Sequence, residues 1–238
     1  MTPSPRAIER LCLPLDAPDL EQAVALAERV GDAVGVLKIG LELFVSEGPR
    51  AVERIKRFGR KIFLDLKLHD IPETVAGAVR SAERLGVDYL TVHAAGAEPM
   101  LRAARAAVSG SLQLLGVTVL TSLDDADLRA VGVSCEPQQQ VLRLGSLATN
   151  AGLSGLVCST QELESLRAEL GGEPILVVPG IRPASAAVGD QKRVGTPGRA
   201  IALGADLLVV GRPIRDARDP RAAALAIAEE IDEALLLQ

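Results

Sequence analysis

The 238-residue sequence has few of the residues that metal sites, disulfide frameworks and aromatic platforms require. It contains two His, three Cys, one Tyr, three Phe and no Trp. With only two His, a metal site built on three His ligands cannot form. Cys12, Cys135 and Cys158 are scattered, odd in number and without a CxxC pair. This spacing argues against a disulfide framework, a zinc ribbon or an iron–sulfur cluster, and it favours a reducing, cytoplasmic location.

Charge and hydropathy exclude two further classes of partner. The chain carries 26 Lys+Arg and 31 Asp+Glu, a net charge of −5. An acidic balance with few aromatic rings argues against a surface for nucleic-acid polymers, which needs basic grooves and stacking side chains. No apolar run approaches the ~18 residues of a membrane span, and the opening MTPSPRAIER lacks the apolar core of a signal peptide. We therefore expect a soluble, cytoplasmic protein that binds neither nucleic-acid polymers nor membranes.

Short apolar segments alternate with longer segments rich in Ala, Glu, Arg and Leu along the whole chain. Alternation of this kind implies right-handed crossovers and a parallel sheet. The predicted strands are Leu11–Asp16, Val34–Ile39, Lys61–Lys67, Tyr89–His93, Gln113–Leu120, Gly155–Cys158, Ile175–Val178 and Leu207–Val210. Because no linker or composition shift marks a boundary, these units predict one (β/α)8 TIM barrel, a single domain over residues 1–238. An open doubly wound sheet is the alternative, but no GxGxxG follows the first strand.

The segments between the strands predict helices and one long loop. Apolar stripes at helical spacing and terminal signals predict helices over Leu20–Val30, Glu73–Leu85 and Pro220–Leu236. The long stretch Ser122–Asn150 predicts a short helix, a loop near Val133–Pro137 and a second helix. Arg182–Arg199 is rich in Gly, Pro and charge, which predicts a long loop, and loops of that length are often functional.

The segment FLDLKLHDIPET places charged residues at the end of the third predicted strand. Because side chains alternate along a strand, Asp65 and Lys67 point the same way, and Asp70 follows at the loop. Lys38 ends the preceding strand, near enough to pair with Asp65. Lys38, Asp65, Lys67 and Asp70 then alternate in sign, which favours the charged form of each group. A protonated Lys beside a reacting carbon is a general acid, whereas an ion pair without catalytic role is the alternative.

Polar residues at two other strand ends have two interpretations each. Asp16 either caps the helix Leu20–Val30 or accepts hydrogen bonds from sugar hydroxyls. Thr121 and Ser122 either offer hydroxyls to a ligand or cap the next helix. His93 has no second His or Cys nearby in sequence, so we interpret it as a core or site-lining residue and not as a metal ligand.

The ends of the last two predicted strands carry glycine and arginine, a combination suited to phosphate binding, although a glycine after a strand is often only a turn. Gly211 and Arg212 follow the eighth strand, and Gly180 and Arg182 follow the seventh. Glycine lets a backbone N–H approach an anion, and Arg binds phosphate through two donors. In TIM barrels the loops after strands seven and eight are the usual phosphate site.

These motifs resemble those of the orotidine 5′-phosphate decarboxylase family. The core of the resemblance is DLKLHDIP, Asp65–Pro72, with Thr74 after it. Further matching segments follow the family's order: Leu15–Asp16, Lys38–Gly40, Thr91–Gly96, Leu120–Ser122, Val178–Arg182, Gly189–Gln191, Thr196–Pro197, Gly204–Asp206 and Gly211–Ile214. The resemblance implies a homodimeric (β/α)8 barrel that converts orotidine 5′-phosphate to UMP and CO2, the last step of UMP synthesis, without metal or organic cofactor.

The resemblance also implies a role for each matching residue. Lys67 would donate a proton to the pyrimidine carbon that loses CO2, with Asp65 beside the departing carboxylate. Lys38 would hold Asp65 and bond a ribose hydroxyl, while Asp70 would reach across the dimer interface into the other site. The remaining contacts would be Asp16 and Thr74 at the ribose, Thr74 also across the interface, Thr121 and Ser122 near the base, Pro179 in the pocket wall, and Arg182, Gln191, Gly211 and Arg212 at the phosphate. The segment Arg182–Arg199 would close over the substrate.

Two other functions are compatible with such a barrel. A metal-dependent decarboxylase of the same superfamily, acting on a keto-sugar phosphate, shares a DxKxxD core. The segments Ile71–Pro72 and Gly189–Gln191 argue against it. A non-catalytic sensor of phosphate ligands has no need of a proton donor, so the complete Lys–Asp–Lys–Asp set argues against that function.

Overall fold

Eight parallel strands form a closed barrel in the computed structural model, which describes residues 2–183 and 195–237. The strands are β1 (Leu11–Pro14), β2 (Val36–Ile39), β3 (Lys61–Leu68), β4 (Tyr89–His93), β5 (Gln113–Val117), β6 (Gly155–Val157), β7 (Ile175–Val178) and β8 (Leu207–Val209). Each strand pairs with the next, and β8 pairs with β1 through Leu11 and Leu208. The predicted TIM barrel and all eight of its strands are therefore confirmed.

Several strands are shorter than predicted because apolar residues continue into the loops. β1 ends at Pro14, two residues before Asp16, since Pro14 and Lys38 form the last pair of the β1–β2 ladder. β2 begins at Val36 instead of Val34, and β5 ends at Val117. Val119, beyond the end of β5, is still 6% exposed. Burial beyond a strand end gives the same hydrophobic signal as the strand itself, so hydropathy extends the prediction too far.

Helices connect the strands and cover the outside of the barrel. They are α1 (Pro5–Glu9), α2 (Leu20–Val30), α3 (Leu41–Glu47), α4 (Pro49–Ile55), α5 (Pro72–Leu85), α6 (Ala97–Ala106), α7 (Asp125–Ala130), α8 (Pro137–Asn150), α9 (Leu163–Leu170), α10 (Pro197–Ala202), α11 (Arg212–Arg215) and α12 (Pro220–Leu235). The predicted helices α2, α5 and α12 are confirmed, as are the two helices, α7 and α8, predicted within Ser122–Asn150. The loop predicted over Arg182–Arg199 is wrong at its end, because α10 begins at Pro197, a residue that suits a first helical turn. Residues 184–194 of that segment lie outside the described residues.

Apolar side chains fill much of the barrel interior. The filling residues are Cys12, Val36, Phe63, Leu115, Val177, Leu207 and Val209. Phe63 packs edge-on against Tyr89 at 6.0 Å between ring centroids. Since strand side chains repeat with period two, Asp65 and Lys38 lie one layer above Phe63 and Val36. Polar and charged groups therefore occupy the next layer, towards the carboxyl ends of the strands. In the described parts of the chain, no helix is long and apolar enough to cross a bilayer.

Candidate active site

A break in the β3–β4 ladder sets the position of Lys67. Leu64 pairs with Leu90, but the next pair joins Leu68 to Val92. Between these two pairs β3 advances by four residues and β4 by only two, so β3 bulges. Within this bulge Lys67 has a left-handed backbone, with φ +50°. Its amide donates to Thr91 Oγ1 at 2.9 Å. A bulge re-aims a side chain, and here the Lys67 ammonium comes to lie beside Asp65.

Asp65 lies between two lysines at the carboxyl end of the barrel. Lys67 Nζ is 2.8 Å from Asp65 Oδ1, and Lys38 Nζ is 3.2 Å from Asp65 Oδ2. Thr91 Oγ1 donates to Asp65 Oδ1 at 2.9 Å. Asp16 Oδ1 lies 3.5 Å from Lys38 Nζ and extends the alternation of charge. The structure thus brings together Lys38, Asp65 and Lys67, as the sequence pattern predicts.

Mutual attraction keeps this array charged despite burial. Burial raises the pKa of the Asp65 carboxyl, but the nearby Lys38 and Lys67 ammonium groups outweigh burial and lower the pKa below its usual range. Burial lowers the pKa of Lys38, but Asp65 and Asp16 outweigh it and leave the pKa raised. Asp65 and Lys38 are 9% and 8% exposed. A buried carboxylate between two ammonium groups therefore persists at neutral pH.

The structure separates the two interpretations of Asp16, Thr121 and Ser122. Asp19, and not Asp16, caps α2, by accepting from Gln22 N at 2.9 Å. Asp124 caps α7, so neither hydroxyl residue has that task. A Cβ on Gly40 would lie 3.1 Å from Lys38 Nζ and 3.2 Å from Asp16 Oδ1, so glycine there leaves room for that ion pair.

Two cavities meet at Lys38 and Asp65. The larger, about 490 Å³, has a mainly charged wall: Pro14, Asp16, Lys38, Asp65, Pro179, Gly180, Ile181, Arg182, Val209, Gly211, Arg212, Pro213 and Arg215. The smaller, about 190 Å³, has a mainly apolar wall: Lys38, Phe63, Asp65, Lys67, Val117, Val119, Leu120, Thr121, Val157, Cys158, Val177, Pro179 and Val209. The pair fits a ligand with one weakly polar end and one anionic end.

The other predicted site residues divide into three groups. Thr121 and Pro179 line the apolar cavity, and Arg182, Gly211 and Arg212 line the charged one. Asp70, Thr74 and Ser122 are exposed and line neither cavity of a single chain. The Asp70 carboxylate accepts from Ile71 N at 2.6 Å. Gln191 lies outside the described residues.

Sequence reasoning missed three residues near the array. Thr91 is 0% exposed and bonds both Asp65 and the Lys67 amide, and its signal was a hydroxyl within an apolar strand. The ring centroid of His69 lies 5.5 Å from that of His93. Burial, helped by His69 and Lys67, lowers the pKa of His93. Arg215 lines the charged cavity, and its signal was a further Arg directly after the Gly211–Ile214 motif.

The ligand chemistry of the site is that of carboxylates, ammonium groups and guanidinium groups. Among residues 2–183 and 195–237, no three His, Cys, Asp or Glu side chains are grouped so that they could hold a metal ion.

A TIM barrel with a charged pocket at the carboxyl ends of its strands belongs to the barrel enzymes, whose active sites lie at this end. Residues 9–227 match the model of the Orotidine 5′-phosphate decarboxylase / HUMPS family. The chain belongs to this family.

Relatives and solved structures agree with the family match. A protein from Anaeromyxobacter sp. (strain K) named orotidine 5′-phosphate decarboxylase is 56% identical over 220 residues, 92% of this chain and 97% of the relative. A protein of the same name from Thermobifida fusca (strain YX) is 52% identical over 224 residues, 94% of this chain and 96% of the relative. The crystal structure of orotidine 5′-phosphate decarboxylase from Lactobacillus acidophilus superposes with a TM-score of 0.84 at 36% identity, covering 93% of this chain and 98% of that one.

Proposed function

We propose that this protein is a carboxy-lyase that decarboxylates orotidine 5′-phosphate to UMP and CO2, the last step of UMP biosynthesis. The observation that carries the proposal is the buried Asp65 carboxylate between Lys38 and Lys67, where a charged cavity meets an apolar one. The relatives that share about half of its residues over nearly their whole length bear the name of this activity.

The two cavities match the two ends of the substrate. The pyrimidine enters the apolar cavity beside Thr121 and Pro179. The phosphate binds at the opposite end, where Gly211 offers a backbone N–H and the guanidinium groups of Arg182 and Arg212 offer paired donors. Between them, Asp16 and Lys38 face the ribose hydroxyls. For Gln191, which lies outside the described residues, and for Ser122, which lines neither cavity, contacts to phosphate and base rest on the family resemblance alone.

Lys67 supplies the proton that the reaction consumes. When the bond between the ring carbon and the carboxylate breaks, CO2 leaves and the electron pair stays on the ring carbon. The Lys67 ammonium stabilises that negative charge and then donates its proton to the same carbon. Asp65 lies 2.8 Å from Lys67 Nζ, so it orients the donor and repels the substrate carboxylate before CO2 departs. The products are UMP and CO2, and water returns a proton to Lys67.

The site is completed by a second copy of the chain. Asp70 is exposed and makes its hydrogen bond to Ile71 N within its own chain, so it is available to a neighbouring site. Three apolar side chains near the same end of the barrel are solvent-exposed in a single chain: Leu41 at 52%, Val45 at 81% and Ile71 at 67%. A homodimer that covers this surface carries Asp70 and Thr74 into the partner subunit's site. We place the protein in the cytoplasm, where its nucleotide substrate is found.

A spectrophotometric assay with metal-free buffer tests the reaction. Adding orotidine 5′-phosphate changes the pyrimidine absorbance as UMP forms, and the Lys67→Ala variant abolishes this change while it still binds UMP. The Lys56→Ala variant is a matched control, because Lys56 is an exposed lysine that bonds Leu85 O away from the site. Near-normal turnover by Lys67→Ala would remove Lys67 from the proton-donor role.

Chelation separates the proposal from its metal-dependent alternative. Full activity in excess EDTA is expected, whereas complete loss that added metal restores would favour the decarboxylase of keto-sugar phosphates. If the wild-type protein binds UMP but releases no CO2 from orotidine 5′-phosphate, the chain is a sensor of phosphate ligands and not an enzyme.

A further inference from the structure

Arg215 is a third guanidinium at the phosphate end of the site. It is the last residue of α11, three positions after Arg212, and it lines the same 490 Å³ cavity as Arg182 and Arg212. Its side chain is 35% exposed, so about two thirds of it is covered by protein. Neither the barrel fold nor the Lys–Asp–Lys array requires an arginine there.

The charge of the cavity wall indicates what Arg215 contributes. Among residues 2–183 and 195–237, the wall carries four cations (Lys38, Arg182, Arg212 and Arg215) and two carboxylates (Asp16 and Asp65), a net charge of +2. Without Arg215 that net charge is +1. A phosphate monoester carries about −1.5 to −2 at pH 7. Asp216 pairs with Arg215 from outside the wall and offsets part of this charge, so Arg215 contributes further N–H donors for a phosphate more than a full unit of net charge.

Asp216 contacts the Arg215 guanidinium at two points and favours one orientation of it. Arg215 Nε lies 2.7 Å from Asp216 Oδ1, and Arg215 Nη2 lies 3.3 Å from Asp216 Oδ2. This two-point contact uses one edge of the guanidinium, which has five N–H donors in a planar fork. The remaining donors lie on the opposite edge, which makes no hydrogen bond to any other group within residues 2–183 and 195–237. A guanidinium that is paired along one edge, on the wall of a phosphate cavity, keeps further donors with which to bind an oxyanion.

We propose that Arg215, oriented by Asp216, is an additional phosphate-binding residue that makes the site select nucleoside monophosphates over uncharged nucleosides. The inference rests on the proposed function only in that the ligand is a pyrimidine nucleoside monophosphate. Arg215 is a binding residue and Asp216 is a positioning residue.

Affinities for UMP and uridine, measured by calorimetry on the full chain, test this role. Arg215→Gln is expected to weaken UMP binding about tenfold, the effect of one partly solvated charge-assisted contact, and to leave uridine binding unchanged. Asp216→Asn weakens UMP binding in the same direction by a smaller factor, since the guanidinium loses its orientation but keeps its charge. Arg215→Lys falls between wild type and Arg215→Gln, because the charge remains without the planar fork.

Arg221→Gln is the matched control. Arg221 also pairs with a carboxylate, Asp32, at 2.6 Å, its side chain is 50% exposed, and it lies on α12 outside the cavity wall. Its UMP affinity stays at the wild-type value. Should Arg215→Gln fail to fold, Arg215→Lys and Asp216→Asn still decide the question through the same comparison of UMP with uridine.

Two results would overturn the proposal. Unchanged UMP affinity in Arg215→Gln would remove Arg215 from the phosphate site. Equal loss for UMP and uridine would show instead that Arg215 acts through Asp16, whose negative charge acts on it together with that of Glu42. The assay of CO2 release is independent, because absence of CO2 with a UMP-specific loss in Arg215→Gln sinks the decarboxylase proposal and leaves this one standing.

Discussion

The charge state of Asp65 depends on its two lysine neighbours. Burial alone would raise the pKa of this carboxyl, and the nearby ammonium groups reverse that effect. The pKa of folded Asp65 lies below its unfolded value, so ionisation of Asp65 stabilises the fold above about pH 3.9, and this contribution is lost as pH falls through the folded pKa. The pKa of Lys38 is raised, so its contribution is complete below about pH 10.4 and is lost as pH rises further.

Removing Lys38 is therefore expected to move the acid limb of the activity profile upward in pH. In Lys38→Met the Asp65 carboxyl keeps its burial but retains only Lys67 as a cation, so its pKa rises. The measurement is kcat/KM for orotidine 5′-phosphate against pH, with Lys56→Met as a control at an exposed lysine. An acid limb at the wild-type position in Lys38→Met would contradict the account of Asp65 given by the 3.2 Å ion pair.

Some contacts of the charged site can be predicted from the sequence and others cannot. The predicted Asp65–Lys67 and Lys38–Asp65 contacts are both present, but the first forms through the β3 bulge and not through the regular alternation on which its prediction is based. The hydrogen bond from Thr91 to Asp65 escapes such reasoning, because it depends on the register between β3 and β4. The position of Arg215 cannot be predicted for a related reason: the short helix α11 determines which of the residues after β8 line the cavity.

At the level of elements, the bulge in β3 holds Lys67 in a left-handed backbone conformation. A φ of +50° costs a residue with a Cβ roughly 1–2 kcal/mol, whereas glycine adopts it without that penalty. The ladder shift between Leu64 and Leu68 maintains this conformation against its cost. The strained residue, Lys67, is also the proposed proton donor. Strained backbone conformations commonly occur at functional sites.

Relieving that strain is expected to raise stability while activity is lost. Lys67→Gly should unfold at a Tm about 2–4 °C above that of Lys67→Ala, corresponding to about 1 kcal/mol in a chain of this size. Both variants lack the ammonium, so the comparison isolates the backbone. Calorimetric melting curves of the two variants provide the measurement.

Lys61 gives the matching control at the start of the same strand. It is exposed and has no left-handed backbone, so there the order reverses and Lys61→Gly is less stable than Lys61→Ala. If glycine destabilised both positions alike, Lys67 would not be under backbone strain.

The hydrophobic pattern predicts that a strand exists, but where the strand ends also depends on its pairing with neighbouring strands. All eight predicted strands form, yet β5 ends at Val117 although apolar residues continue beyond it. β5 ends where its neighbours β4 and β6 end, at His93 and Val157, because a strand needs hydrogen-bonding partners on the adjacent strands. The β3 bulge is likewise fixed by pairing between distant segments, and the pattern FLDLKL reads as a regular strand.

For the whole molecule, the proposed dimer explains why Asp70 stands apart from Lys67 in a single chain. The Asp70 carboxylate accepts its hydrogen bond from Ile71 N and lines neither cavity. Apolar Val45 and Ile71 are exposed nearby, at 81% and 67%. Exposed apolar groups of this size are typical of a surface that another chain covers. A two-fold arrangement places each Asp70 in the other subunit's site and makes both sites shared.

Shared sites predict that two inactive variants restore activity when they are mixed. In a heterodimer of Lys67→Ala and Asp70→Ala chains, the site built on the Lys67→Ala chain contains both substitutions. The other site contains a native Lys67 and a native Asp70. With random exchange half of the dimers are mixed, so the mixture regains about a quarter of wild-type activity. The measurement is CO2 release after denaturation and joint refolding of equal amounts of the two variants. Lys67→Ala mixed with Asp65→Ala is the control and stays inactive, because both side chains belong to the same chain's site. An inactive Lys67→Ala/Asp70→Ala mixture that still contained dimers by light scattering would place Asp70 in its own chain's site.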